Sequence, residues 1–459
     1  MDTINLKIFK AYDIRGIYPA ELDEDVAYRI GAALVDFLNV DSVVIGHDMR
    51  KSADSIFDAI SRGITDSGCD VIDIGMVSTP MLNFTVAHYG YSCGVMITAS
   101  HNPPEYNGFK ICTEDAVPVH DEDIKRIGQI ANMKTKPLQE TGSMKTRGKV
   151  VKKDVWDDYR EHVFKFARTI FKNKRKIKVV ADAANCMASI TVPGVFSKLG
   201  DFNIEIIPLY FELDGSFPNH EPDPLKVENM EDLRKKVLEE GADFGVGFDG
   251  DVDRAIFVDD RGDIVRADLI TALFAGDFLK YEKGAGIIYD LRSSMIVPEV
   301  IEKNGGKEIM CRVGHAFIKK KMREYDALFG GELSGHYYFR DNFYADSADI
   351  AFVEILNILT SAGAEGKNLS DLLAPLKKYY HSGEINSEVE DKDGKIKEIE
   401  GIYSDGRISH LDGILVEYDS WRFNIRKSNT EPLLRLNLEA DTLENMEKYR
   451  DKLLGEIRG

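Results

Sequence analysis

Six consecutive residues carry the densest chemistry in this 459-residue chain: Asp249-Gly250-Asp251-Val252-Asp253-Arg254. Carboxylates at i, i+2 and i+4 on a turn converge on one hard cation, and Mg²⁺ favours such oxygen ligands. Without a cation, three packed carboxylates repel and raise one another's pKa. An acidic surface turn is the bland alternative. Gly245-Val246-Gly247-Phe248-Asp249-Gly250 also matches G-x-G-x-x-G, but it runs on into strand-like Ala255-Ile256-Phe257-Val258 instead of opening a helix, so a dinucleotide site is rejected. A calcium loop needs Gly sixth and Glu twelfth, where the chain has Arg254 and Asp260. A D-x-D phosphatase motif, with Asp249 as nucleophile, stays open on these six residues.

Three further segments suit phosphate and sugar chemistry. In Thr98-Ala99-Ser100-His101-Asn102-Pro103-Pro104, Ser100 follows the apolar run Cys93 to Ile97 and stands at a strand end. It is a nucleophile or phosphoryl carrier, or a serine that caps a turn. Lys110, in Asn107-Gly108-Phe109-Lys110, is close enough in sequence to face the same loop. Arg426-Lys427-Ser428-Asn429-Thr430-Glu431-Pro432 with Arg435 gathers guanidiniums, an ammonium and hydroxyls, a set that suits a phosphate or a polar hairpin turn. Gly331-Glu332-Leu333-Ser334-Gly335-His336 offers Glu, Ser and His to sugar hydroxyls, or is a glycine-rich turn.

The elements that position these loops form a weak internal repeat. Three strand-like runs end in Asp: Val43 to Asp48, Val179 to Asp182 and Ile287 to Asp290. Each is followed by a helical pattern and a second strand-like run, at Val71 to Ile74, Glu205 to Leu209 and Glu308 to Arg312. A third apolar run then ends in the Ser100, Asp249 or Glu332 loop. Alternating strands and helices imply parallel sheets, whose carboxyl ends bind ligands. Three copies of one α/β unit would aim three loops at one cleft. From about Lys377 the pattern changes to strands, including Glu384 to Glu388, Gly413 to Tyr418 and Leu433 to Leu438, with a turn at Asp391-Lys392-Asp393-Gly394. One helix follows, Leu443 to about Ile457, capped by Thr442. The seven basic residues between Lys165 and Lys178 read as a solvated helix end and linker.

Composition narrows the class. Lys and Arg total 59 against 78 Asp and Glu, a net charge of −19, which excludes a generally basic nucleic-acid surface. Five Cys without a C-x-x-C pair argue against a disulfide scaffold or zinc ribbon and for a reducing compartment. The start MDTINLKIFK does not read as a signal peptide, and no run approaches a membrane span. A large cytoplasmic enzyme is expected, without nucleic-acid or membrane partners.

Together with Tyr12-Asp13-Ile14-Arg15-Gly16, these segments resemble the α-D-phosphohexomutase superfamily, in family order and over nearly the whole chain. The resemblance implies three related α/β domains with mixed sheets, then a smaller C-terminal α+β domain, around a central cleft. The expected divisions are 1–150 with the phosphoserine loop, 151–254 with the metal loop, 255–376 with the sugar loop, and 377–459 with the phosphate loop. It implies that Ser100 gives and takes the phosphoryl group, with one Mg²⁺ on Asp249, Asp251, Asp253 and the Ser100 phosphate. Arg254 would lie beside that phosphate, and Arg15 and Lys110 near the reacting oxygens as general acid or base. His101, His315, Glu332, Ser334 and His336 would contact substrate. Arg426, Ser428, Asn429, Thr430 and Arg435 would hold the non-reacting phosphate. The implied reaction interconverts hexose 1-phosphate and hexose 6-phosphate through hexose 1,6-bisphosphate, which also serves as activator, in a monomer or homo-oligomer. Leu333 and Val252 favour mannose and glucose over glucosamine, since phosphoglucosamine mutases usually carry Gln and Gly there. Cys186 and Arg292 depart from common family residues, outside the reacting groups.

Overall fold

The computed structural model describes residues 3–134, 146–361, 366–428 and 433–459. The chain divides into two compact units: Met1–Val265 with Ser334–Ser370, and Arg266–Leu333 with Asp371–Gly459.

The repeat is a shared sheet topology. In the first unit, Ser42–His47 lies between Asp70–Met76 and Cys93–Ile97, parallel to both. Ile177–Asp182 lies in the same way between Ile204–Leu209 and Phe244–Phe248. In the second unit, Gly286–Asp290 lies between Lys307–Cys311 and Phe329–Gly331. Parallel neighbours need crossovers, and helices supply them: Ala53–Asp66 and Thr79–Tyr89, Ala188–Phe196 and Glu231–Glu240, Ile296–Lys303 and His315–Tyr325. Cys93–Ile97, Phe244–Phe248 and Gly286–Asp290 are buried along their whole length, which is why they read as unbroken apolar runs.

In the first two repeats the third strand then turns back. Cys93–Ile97 pairs antiparallel with Tyr106–Thr113, and Phe244–Phe248 with Ala255–Asp259. The division expected after residue 254 therefore cuts a hairpin. Phe248 faces Ala255, Phe244 faces Asp259, and the sheet continues to Ile264–Val265. In the third repeat, Tyr337–Phe339 pairs antiparallel with Ala345–Asp346.

The C-terminal domain is an antiparallel sheet in the order Tyr380–Glu388, Leu433–Ala440, Trp421–Lys427, Ile414–Glu417, Arg407–Ser409. Its core face carries Trp421, Phe423, Ile425, Leu434, Leu436 and Leu438. The alternate residues, Arg422, Asn424 and Arg426 with Arg435, Asn437 and Glu439, occupy the opposite, polar face. Two helices cover the core, not the single one expected. Leu443–Arg458 is capped by Thr442 as anticipated. Asp391 to Gly394 is not a turn between strands: the Asp391 side chain accepts from the Gly394 N–H and opens the helix Lys392–Ile402. An Asx turn and a helix N-cap share this residue chemistry, so local sequence does not separate them. No helix among the described residues is long and apolar enough to cross a membrane.

The first repeat relies on a close helix pair, Glu24–Leu38 against Ala53–Asp66. A Cβ on Gly31 would overlap the Ile60 carbonyl, and one on Gly63 the Tyr28 carbonyl. Helix propensity favours Gly63→Ala by about 1 kcal/mol, whereas overpacking costs roughly 1–3 kcal/mol. Gly63→Ala should therefore lower the first calorimetric transition; an upward shift would show that the helices separate without cost.

Candidate active site

Ser100 stands one loop beyond Cys93–Ile97, in the left-handed backbone region at φ 50°. Its N–H donates to Thr98 Oγ1 at 2.9 Å. Its hydroxyl donates to Asp249 Oδ2 at 2.9 Å and lies 3.3 Å from His101 Nδ1. The bend is held from behind by Arg50, which is 2% exposed. Arg50 Nη2 donates to the carbonyls of Ser100 at 2.8 Å and Asn102 at 2.6 Å; Nη1 donates to those of Pro103 at 2.7 Å and Tyr106 at 2.9 Å. Asp48 pairs with this guanidinium at 3.3 Å and accepts from the Arg50 N–H. Arg15, on Ile14–Ile17, enters the loop from the other side, its Nη1 donating to Asn102 Oδ1 and to the Ala99 carbonyl while Nε pairs with Asp13.

Asp249, Asp251 and Asp253 occupy the turn between Phe248 and Ala255. Val252, between two of them, sits at φ 65°, an unusual conformation for a β-branched residue. The turn brings one oxygen of each carboxylate within 4.8 Å of the others, and all three residues are buried. Asp249 Oδ1 accepts the N–H groups of Asp253 and Arg254. Thr79 anchors Asp251 twice, through its hydroxyl to Oδ2 and its N–H to the main-chain carbonyl. Lys110 Nζ lies 2.6 Å from Asp251 Oδ2 and 2.5 Å from Asp253 Oδ2. Arg254 Nε is 3.7 Å from Asp249, and His336 Nε2 is 3.4 Å from Asp253. A bridge between Arg254 and His336 and the Ala255 N–H to Gly335 carbonyl bond hold the two loops together. Ser334 Oγ lies 2.9 Å from His336 Nδ1.

Electrostatics sort these groups. Burial, then the like charges of Asp253 and Asp251, push Asp249 well above the usual carboxylate range. Burial also opposes ionisation of Asp253, but Lys110, His336 and Arg254 face it and hold it well below that range. Lys110 stays charged against burial because all three carboxylates face it. His101 is kept neutral by burial and by Arg254, Arg15 and Lys110. Asp251 Oδ1 is buried without a hydrogen-bond partner, and Asp253 Oδ1 is buried with His336 Nε2 3.4 Å away. Buried carboxylate oxygens without donors suit a cation, so the triad fits a hard divalent metal.

Other expected residues lie in the second unit. Glu332 and His315 follow Phe329–Gly331 and Lys307–Cys311, at the carboxyl ends of that unit's parallel strands. Arg292, set aside on sequence as outside the reacting groups, lies 3.4 Å from Glu332 and pairs with Asp290, whose Oδ2 also accepts the Leu333 N–H. In the C-terminal sheet Arg426 and Arg435 share Glu384, and Ser428 is 3.5 Å from Arg435. Asn429 and Thr430 fall outside the described residues. Cys186 is buried, and its loop touches the acidic turn where the Met187 N–H meets the Gly250 carbonyl.

Sequence reading missed Arg50, Thr79 and Glu384. A signal for Arg50 existed: Asp48-Met49-Arg50 recurs as Asp290-Leu291-Arg292 at the same place in another repeat. In both, the Asp accepts the Arg N–H and the guanidinium reaches the repeat's polar loop, at Ser100 or Glu332. Lysine would keep the charge beside Asp48, but one ammonium does not span four carbonyls. Arg50→Lys should therefore speed amide exchange in the Ser100–Tyr106 loop by at least about tenfold, leaving Val95 and Ile97 protected; unchanged exchange would contradict this role.

Comparison with known proteins agrees with this geometry. Models of the phosphoglucomutase/phosphomannomutase α/β/α domains I, II and III match residues 6–137, 157–262 and 266–379, and that of the C-terminal domain matches 384–456. The chain is 40% identical to a phosphomannomutase of Methanocaldococcus jannaschii, covering 98% of this chain and 97% of that protein. It is 38% identical to a phosphomannomutase of Escherichia coli K12, covering 95% of each. A phosphoglucomutase/phosphomannomutase family protein from Burkholderia thailandensis has the same fold, with TM-score 0.87 and 31% identity over 99% of this chain and 97% of the other. The chain belongs to the phosphoglucomutase/phosphomannomutase family and is an enzyme of the phosphohexomutase type.

Proposed function

We propose that the enzyme interconverts the 1- and 6-phosphates of mannose and glucose, with Ser100 as the phosphoryl carrier and hexose 1,6-bisphosphate as the intermediate. The carrying observation is the Ser100 hydroxyl, 2.9 Å from Asp249 within a carboxylate triad ringed by Lys110, Arg254 and His336. Phosphoryl transfer needs positioning and charge neutralisation above all. In the first half-reaction a free sugar hydroxyl attacks the phosphorus of phospho-Ser100, the bond to Ser100 Oγ breaks, and the sugar becomes a bisphosphate. In the second, Ser100 takes the other phosphoryl group and the isomer leaves.

Mg²⁺ bound at Asp249, Asp251, Asp253 and the Ser100 phosphate would supply charge neutralisation at the transferring group. Arg254 and Arg15 add fixed positive charge beside the loop. Lys110, which all three carboxylates hold as the ammonium, is the candidate to give a proton to the departing Ser100 oxygen, the hydroxyl proton then replacing it. Glu332, His315, Ser334, His336 and His101 are assigned to the sugar. Arg426, Ser428, Asn429, Thr430 and Arg435 are assigned to the phosphate that is not reacting. Leu333 and Val252 support mannose and glucose over glucosamine.

An Asp249-nucleophile phosphatase is disfavoured. Asp249 Oδ1 already accepts two N–H groups and Oδ2 accepts the Ser100 hydroxyl, so both oxygens are engaged. The test is Ser100→Ala. Isomerisation of mannose and glucose 1-phosphates should fall by at least about a thousandfold with circular dichroism unchanged, and peptide mapping should place a phosphate on Ser100 in the wild type and none in the variant. Retained activity would refute the carrier.

A further inference from the structure

Arg426 and Arg435 stand directly opposite each other on neighbouring strands. Like charges in that position repel unless an anion joins them. Glu384 supplies one. Its Oε2 lies 2.9 Å from Arg426 Nη2 and its Oε1 3.0 Å from Arg435 Nη1, with Arg292 Nη1 at 3.9 Å from Oε2.

A backbone irregularity puts Glu384 there. His381 pairs with Glu439, but Glu384 pairs with Asn437, so the strand Tyr380–Glu388 carries one extra residue. Gly383 within this bulge has φ 69°. Without the extra residue, Glu384 would face Leu436 on the apolar side, because a one-residue slip exchanges the two faces. The bulge turns its carboxylate onto the arginine face. Although burial opposes it, the charges of Arg426, Arg292 and Arg435 hold Glu384 ionised, below the usual carboxylate range. The balance of the trio is two positive charges against one negative. Arg426 Nε is buried without a hydrogen-bond partner, so the trio leaves room for a stronger acceptor.

We propose that Glu384 is a resident counter-ion that competes with the substrate's phosphate for Arg426 and Arg435 and so sets how readily the phosphate is released. This rests on the assignment of these arginines to the non-reacting phosphate. A phosphate dianion carries more charge and more acceptor oxygens than a carboxylate and takes the guanidiniums when it arrives. When it leaves, Glu384 takes them back, and two bare arginines are never left face to face. Release matters because the two phosphates of the bisphosphate must exchange places between half-reactions. A clamp without a competing anion would bind tightly and let go slowly.

The test measures binding of inorganic phosphate to the full chain by calorimetry, with steady-state kinetics on glucose 1-phosphate. Glu384→Gln keeps the shape and removes the charge. It should tighten phosphate binding by at least about fivefold, lower KM and lower kcat. Arg426→Gln, run in parallel, should weaken phosphate binding. If Arg426→Gln changes nothing, the arginines do not hold phosphate and the underlying assignment fails. If it weakens binding while Glu384→Gln leaves binding unchanged or weaker, the clamp stands and the counter-ion role is overturned. Should Glu384→Gln not fold, Glu384→Asp withdraws the carboxylate by one methylene; tighter phosphate binding supports the proposal, and unchanged or weaker binding overturns it.

Discussion

Three carboxylates crowded into one buried turn are a cost that the first unit is arranged to meet. Ionised together they would drive the turn apart or take up protons. The surrounding elements supply fixed compensation: Lys110 from the strand Tyr106–Thr113, Thr79 from a helix start, and Arg254 and His336 from two adjoining loops. The Ser100 hydroxyl joins the same set through Asp249. A site that concentrates negative charge and meets it with the half-buried cations Lys110 and Arg254 is prepared for a phosphoryl group and its counter-charge, since little has to reorganise when charge moves.

Charge compensation of the same kind recurs in the second unit at smaller scale. Arg292 is matched by Asp290 and Glu332, and the pair Arg426 and Arg435 by Glu384. In a chain of net charge −19 these arginines are matched closely by acids, Arg426 and Arg435 sharing a single carboxylate. In two repeats the same short segment does this work: an Asp at a strand end orients an Arg two residues on, and the Arg contacts the Ser100 or the Glu332 loop. The second repeat has Asp182-Ala183-Ala184 instead, and its Asp182 meets His220.

Much of this was legible in the sequence because it is local. The acid spacing in Asp249 to Arg254, the serine after an apolar run and the Asp at each repeat's first strand are all written within a few residues. What was not legible depends on distant or conformational partners. The recurring Asp-x-Arg segment marks Arg50, but its role appears only when four carbonyls, some fifty residues away in sequence, are brought to it. Glu384 belongs to an alternating strand pattern, and only the extra residue at Gly383 reveals which face it takes. The division expected after residue 254 failed because a hairpin and a domain end share one signal, a polar loop between apolar runs. Asp391 read as a turn because its N-capping role appears only once the following helix forms.

The central claim, that Ser100 passes its phosphoryl group to sugar and not to water, is tested most directly in a single turnover. Enzyme phosphorylated on Ser100 is mixed with an equal amount of glucose 1-phosphate, quenched at intervals, and assayed for phosphoserine, bisphosphate and inorganic phosphate. The expected result is loss of the Ser100 phosphate matched by formation of hexose 1,6-bisphosphate, followed by return of the phosphoserine with glucose 6-phosphate, and no release of inorganic phosphate. Stoichiometric inorganic phosphate, or turnover while the Ser100 phosphate stays in place, would contradict it.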